Sequence, residues 1–219
     1  MARILVVNPN SSERVTAAID EAVAPLRVEG GPRIEVVTLA EGPPGIATQR
    51  DADGVVMPLV RLVERSDADA FVLACFSDPG LHAIREAAGG RPVLGIAEWG
   101  ILRALTLGER FGIIALSTAS VRRQQRLVRQ MGLGGRYAGS WPVDLSAADT
   151  TGAEVGAKLA AAGRSLVREL GADVLVLGCA GMARHRAATE VQAGCPVVEP
   201  SQQAVAAALG AVLLRERSA

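Results

Sequence analysis

A chain of 219 residues has room for one large domain or two small ones around a substantial core. Its 23 basic side chains balance 23 acidic ones, so no charge excess draws it to nucleic acid or to an anionic membrane. With aromatics at only 3 %, it also has few rings on which single strands could stack.

The opening run, RILVV (3–7), reads as a strand buried on both faces. It is too short for a signal core and leads straight into a turn, and no apolar stretch approaches the length of a bilayer span. The expected compartment is therefore the cytoplasm, where thiols stay reduced. NPNSS (8–12) follows, with Ser11 or Ser12 placed to cap a helix. Further strands are read at RIEVVTL (33–39), AFVLAC (70–75) and PVLGI (92–96), with helical stretches rich in Ala, Arg and Glu between them. Strand–helix alternation implies a parallel sheet with right-handed crossovers. The pattern then restarts: FGIIALS (111–117), RYAGSWPV (136–143), DVLVLGC (173–179) and PVVEP (196–200) are strands with helices between.

The two series align. DADAFVLACFSDPGL matches GADVLVLGCAGMARH, placing Asp69 opposite Asp173 and Cys75 opposite Cys179; GRPVLGI matches GCPVVEP. This is an internal duplication with a period near 104 residues, far longer than a solenoid repeat. The fold class is thus α/β, with two pseudo-symmetric parallel-sheet halves and a site in the cleft between them. The first half is expected over 1–97 and the second over 98–199. The tail SQQAVAAALGAVLLRER (201–217) has helical periodicity, and a C-terminal helix over 200–219 is expected to pack back on the first half.

Ligands of open parallel sheets bind beyond the carboxyl ends of the strands. Asn8, Asn10, Ser11, Ser12, Cys75, Ser77, Ser117, Thr118 and Cys179 all fall at such ends, where helices begin and free N–H groups point outward. If the halves face each other, the two cysteines approach one cleft from opposite sides. A partly exposed thiol at a helix N-terminus is expected to have a lowered pKa. One thiolate could then take a proton from a carbon while the facing thiol returns one to the other face. N–H groups aimed at an adjacent carbonyl would stabilise the carbanion.

Plainer readings stand beside these. A strand-end cysteine is usually packing, but coincident cysteines with matching flanks are not explained that way. Cys195 precedes Pro196 at the start of a strand, the wrong end for chemistry, and reads as structural. His82 and His185 follow the cysteines by seven and six residues; on a helix that is about 10 Å of rise, too far to share one metal. No metal site is expected, and the histidines read as solvent-facing or capping groups. The only lysine, Lys158, reads as a solvated helix residue with nothing around it to suggest a pyridoxal Schiff base. Asp78 before Pro79 also reads as a plain helix cap.

NPNSS at the first strand end, CFSDPGL around Cys75 and GCAGM around Cys179 resemble the signatures of the aspartate/glutamate/hydantoin racemase superfamily, most closely its hydantoin and allantoin branch. That branch usually has Gly where Ser77 stands and an Asp-Gly pair near Glu199-Pro200. The resemblance spans essentially the whole chain. It implies a racemase without cofactor or metal, with Cys75 and Cys179 as the catalytic pair and Asn10, Ser77, Asp78, Ser117, Thr118 and Gly181 bordering a small-molecule substrate. It favours a hydantoin or allantoin, whose anion is delocalised over flanking carbonyls, over a free amino acid. A homo-oligomer is expected. Other classes are an amino-acid racemase, an arylmalonate decarboxylase- or maleate isomerase-like enzyme, and a non-catalytic two-lobed binding protein.

Overall fold

The computed structural model describes residues 1–146, 149–150 and 154–215. All eight strands read from the sequence are present, each within two residues or so of its expected limits. The first four are β1 (Arg3–Asn8), β2 (Arg33–Thr38), β3 (Ala70–Leu73) and β4 (Val93–Gly95). The second four are β5 (Phe111–Ala115), β6 (Tyr137–Pro142), β7 (Val174–Gly178) and β8 (Val197–Val198). They form two parallel four-stranded sheets, ordered β2-β1-β3-β4 and β6-β5-β7-β8. The duplication seen in sequence is thus a duplication of topology.

It extends to individual hydrogen bonds. The Asp69 carboxylate accepts the Arg3 N–H at 2.7 Å, and Asp69 N–H donates to the Arg3 carbonyl at 2.8 Å. The Asp173 carboxylate accepts the N–H groups of Glu109 and Arg110, both at 2.9 Å, and Asp173 N–H donates to the Arg110 carbonyl at 2.9 Å. Each aspartate ties the start of one central strand to the start of its neighbour.

Helices cover both faces of each sheet. In the first half they are α1 (Glu13–Val23), α2 (Gln49–Gly54), α3 (Val56–Arg65) and α4 (Leu81–Ala87), followed by α5 (Ile96–Ala104) after β4. In the second they are α6 (Thr118–Gln130), α7 (Val155–Leu170) and α8 (Arg186–Ala193), followed by α9 (Pro200–Leu214) after β8. The boundary expected at 97/98 falls inside α5. The helix read over 201–217 is α9; it packs against α5, α1 and the first sheet, with a smaller contact to β7. Residues 216 to 219 lie outside the described residues.

Alternation along the strands sorts side chains into three cores. Ile4 and Val6 of β1, Val72 of β3, Phe111 and Ile113 of β5, and Val174 and Val176 of β7 all enter one shared cluster with α5 and α9. The alternate residues Leu5, Val7, Phe71 and Leu73 face a separate core under α3 and α4. Ile114, Leu175 and Leu177 face another under α7. Because the shared cluster draws on both sheets, it fixes how the two sets of strand ends face each other. Among the described residues, no helix is long and apolar enough to cross a membrane.

Candidate active site

The site is built where β1, β3, β5 and β7 end. Cys75 lies two residues past β3 and Cys179 directly past β7. Both line a single small cavity of about 50 Å³, together with Asn10, Ser77, Leu116 and Arg123. Two thiols that belong to equivalent places of two repeats therefore share one space.

Each sulfur is held by its own turn. Cys75 Sγ lies 3.3 Å from the Ser77 hydroxyl, and the Ser77 N–H, which donates to the Cys75 carbonyl at 2.8 Å, also pulls the thiol pKa down. The Gly181 N–H pulls down the pKa of Cys179 in the same way. Gly181 is required there: a Cβ at this position would stand 2.4 Å from Thr150 Oγ1. Asn10 is buried, and its Oδ1 accepts from Asn8 Nδ2 at 3.1 Å and from the Ser12 N–H at 2.9 Å. That leaves its amide NH2 as the donor it can offer a ligand.

The thiols do not have the lowered pKa that helix N-termini lead one to expect. Burial pushes Cys75 up to about 11; the Ser77 hydroxyl and the Arg123 guanidinium pull against this, and the Asp78 charge adds to it. Burial pushes Cys179 up to about 12, opposed by the Gly181 N–H and reinforced by the charges of Cys75 and Glu199. Desolvation outweighs a pair of N–H dipoles because it acts on the whole thiolate charge. Both groups therefore rest as thiols near neutral pH.

Three sequence-predicted residues have other employment. Asp78 is buried, and both its oxygens accept backbone N–H groups of α5, from Ala97 at 3.0 Å and Glu98 at 2.8 Å. It caps α5, not the α4 helix that follows Pro79. Ser117 is the N-cap of α6, in a reciprocal capping box with Ser120. It lines a neighbouring cavity, whereas Thr118 is exposed on the first turn of α6 and lines neither. Ser12 caps α1, as the NPNSS segment predicts. Cys195 packs on the core under α7. His82 is exposed, His185 Nε2 is 3.1 Å from the Thr150 carbonyl, and Lys158 is exposed on α7. No three His, Cys, Asp or Glu side chains cluster as metal ligands among the described residues.

Two features escape a sequence reading. Arg123, on α6 of the second half, reaches across to the loop after β2 of the first half. It donates to the Ala47 carbonyl at 2.7 Å and the Ile46 carbonyl at 3.4 Å, while its Nε is buried without a partner among the described residues. Only its alternation with other arginines along RRQQRLVR is visible in sequence, and that does not single it out. The same loop is pinned from its own side. Asp51 accepts from the Ala47 and Thr48 N–H groups, and Gly42 passes so near Pro9 that a Cβ would stand 2.4 Å from its carbonyl oxygen. The second feature is a cavity of about 640 Å³ beside the first, sharing Ile46 and Leu116 with it. Pro43, Pro44, Ala47 and Leu145 give it apolar walls, with Asp51, Ser117, Asp144 and Ser146 as the polar part of the lining.

A duplicated parallel α/β fold with two strand-end thiols lining one cavity defines the class to which the chain is compared. Residues 4–208 match the family model described as Asp/Glu/Hydantoin racemase. The chain belongs to that family and is an isomerase. It is 34 % identical over 218 residues to a hydantoin racemase of Paenarthrobacter aurescens, covering 97 % of this chain and 92 % of that protein. Among solved structures, the allantoin racemase from Klebsiella pneumoniae superposes with a TM-score of 0.91 at 26 % identity, covering 100 % of this chain and 91 % of that one. The allantoin racemase of Pseudomonas fluorescens gives 0.89 at 25 % identity, covering 99 % and 93 %.

Proposed function

We propose that the chain racemises 5-substituted hydantoins by two-thiol proton transfer. The observation that carries this reading is that Cys75 and Cys179, equivalent in the repeat, line the same cavity. One sulfur, having released its own proton to solvent, takes the C5 proton as thiolate; the ring carbonyls delocalise the carbanion; the other thiol returns a proton to the opposite face. The proton count is unchanged after a turnover, with the thiol and thiolate roles reversed between the two cysteines. Asn10, Ser77 and Gly181 border the ring, and the Asn10 amide NH2 is the donor available to the developing oxyanion. Arg123 favours the thiolate at Cys75. No cofactor or metal is assigned a step. The two halves, 1–97 with the returning C-terminal helix and 98–199, act as a cytoplasmic homo-oligomer in this reading.

The apolar cavity beside the thiols favours an alkyl or aryl C5 substituent over the ureido group of allantoin. A ureido group lying against Pro43, Ile46 and Leu145 would leave unpaired, at about 1–3 kcal/mol each, whichever donors and acceptors do not reach Asp51, Ser117, Asp144 or Ser146. The test follows optical rotation of enantiopure 5-benzylhydantoin, 5-isobutylhydantoin, allantoin, aspartate and glutamate with purified protein and no added metal. The reading expects the first two to lose rotation fastest. Activity confined to the amino acids would refute it.

A further inference from the structure

The repeat that relates Cys75 to Cys179 also relates Asp78 to Met182 and Gly95 to Glu199. These four residues build the caps of α5 and α9, and they build them differently. In each helix the second and third N–H groups are held by the two oxygens of one buried carboxylate. For α9 that carboxylate is Glu199, the helix's own N-cap, accepting from Ser201 at 3.1 Å and Gln202 at 2.6 Å. For α5 the N-cap is Gly95, and the carboxylate comes from Asp78, on the turn that carries Cys75. Met182, in the place of Asp78, is fully buried and bears no charge.

The exchange is a matter of side chains, not backbone. Gly95 has φ −90° and ψ 136°, Glu199 φ −93° and ψ 112°, so position 95 would accept an ordinary residue by conformation. It lacks one because a Cβ there would stand 2.3 Å from the Asp78 carboxylate. Asp78 itself sits at φ +42°, in the left-handed region that side chains other than glycine rarely occupy. Such a conformation persists only where the surroundings over-determine it. The two bonds to α5 do so. The turn is tight: Ser77 and Asp78 N–H groups both donate to the Cys75 carbonyl, at 2.8 and 3.0 Å. Cys75 is thus three residues from a double anchor on a core helix, whereas the Glu199 cap lies on a different segment from Cys179.

We propose that Asp78 is a positioning residue that fixes the Cys75 thiol against the substrate, and that Glu199, the carboxylate that caps the equivalent helix of the second half, serves α9 alone. The proposal rests on the reading of Cys75 and Cys179 as opposed acid and base. It predicts that loss of Asp78 damages one face of the reaction. In heavy water, Asp78→Gly slows α-hydrogen exchange of the enantiomer whose proton Cys75 takes, by about 100-fold for a displacement near 1 Å. Exchange of the other enantiomer stays within a few fold of the parent. Glycine accepts the positive φ, so the substitution removes the carboxylate without adding strain.

A double variant separates positioning from capping. Asp78→Gly/Gly95→Glu rebuilds the α5 cap on the pattern of Glu199 but leaves the Cys75 turn unanchored. Its melting temperature returns toward the parent while the lopsided exchange remains. Recovery of both exchange rates in the double variant would show Asp78 to be a cap only and overturn the proposal; so would equal loss for both enantiomers in Asp78→Gly. Cys75→Ser and Cys179→Ser are measured alongside. If either racemised near the parent rate, the two-thiol reading would fall and this proposal with it. Single-enantiomer exchange in both cysteine variants, with equal losses in Asp78→Gly, would overturn this proposal alone.

Discussion

Replacing Arg123 by methionine tests how the two halves cooperate, because one side chain both bridges them and faces a thiol. Methionine keeps much of the apolar stem and removes the charged fork. The bond to the Ala47 carbonyl at 2.7 Å is short and charge-assisted; the one to Ile46 at 3.4 Å is weak. A charged hydrogen bond contributes about 1.5–3 kcal/mol. Arg123 is partly buried, so solvent discounts that range only in part, and about 2 kcal/mol is a reasonable total. At 1.36 kcal/mol per tenfold, this is roughly a 30-fold loss in kcat/KM. Removing the cation also removes one of the influences that hold the Cys75 pKa down to about 11. The thiol should therefore become harder to ionise. The assay is iodoacetamide alkylation of Cys75 against pH in a Cys179→Ser background, beside polarimetry of the single variant. Arg123→Met should shift the alkylation curve to higher pH. Arg123→Lys, which keeps the charge but not the fork, should leave the curve in place while kcat/KM still falls. An unshifted curve in Arg123→Met, with kcat/KM within twofold of the parent, would refute this reasoning.

Other expectations concern pH, packing and specificity. Burial pushes both Asp78 and Glu199 up to about 7, whereas unfolded carboxylates titrate near 4. Between those values the folded chain holds protons the unfolded chain has released, so stability should fall as pH rises from about 4 to about 7. Thermal melts across that range check the sign, and Glu199→Gln should flatten part of the slope. Gly181→Ala should cost about 1–3 kcal/mol of stability, because its Cβ must displace Thr150 Oγ1 from 2.4 Å; denaturant midpoints measure it. Ile46→Asp, in the wall shared by both cavities, should lower kcat/KM for 5-benzylhydantoin at least tenfold and spare allantoin by comparison. Prolonged dialysis against chelator should leave the rate unchanged.

The strands were legible because buried parallel strands write themselves as unbroken Val, Ile and Leu runs, and because the repeat supplied each assignment with a second copy. The same repeat picked Cys75 and Cys179 from three cysteines. What the sequence hid is whatever depends on direction across space. Asp78 stands before a proline and reads as the cap of the helix it precedes, yet it caps α5, nineteen residues on. Ser117 and Thr118 begin α6 at a sheet end, but the capping box turns Ser117 into the helix and α6 leaves Thr118 in solvent. Arg123 belongs to the site through two carbonyls more than seventy residues earlier. The direction of the thiol pKa was misjudged for a related reason: helix ends are visible in sequence, whereas the depth of burial that outweighs them is not.

The central claim is that each thiol serves one face of one carbon. Serine hydroxyls are far less acidic and do not replace thiols as bases near neutral pH. Cys75→Ser and Cys179→Ser are incubated separately with each enantiomer of 5-benzylhydantoin in heavy water, below the pH where the substrate exchanges unaided. Deuterium at C5 is followed by proton NMR and configuration by chiral chromatography. The account predicts no racemisation by either variant, with Cys75→Ser exchanging one enantiomer and Cys179→Ser the other. Racemisation near the parent rate by either variant, or exchange of both enantiomers by one of them, would contradict it.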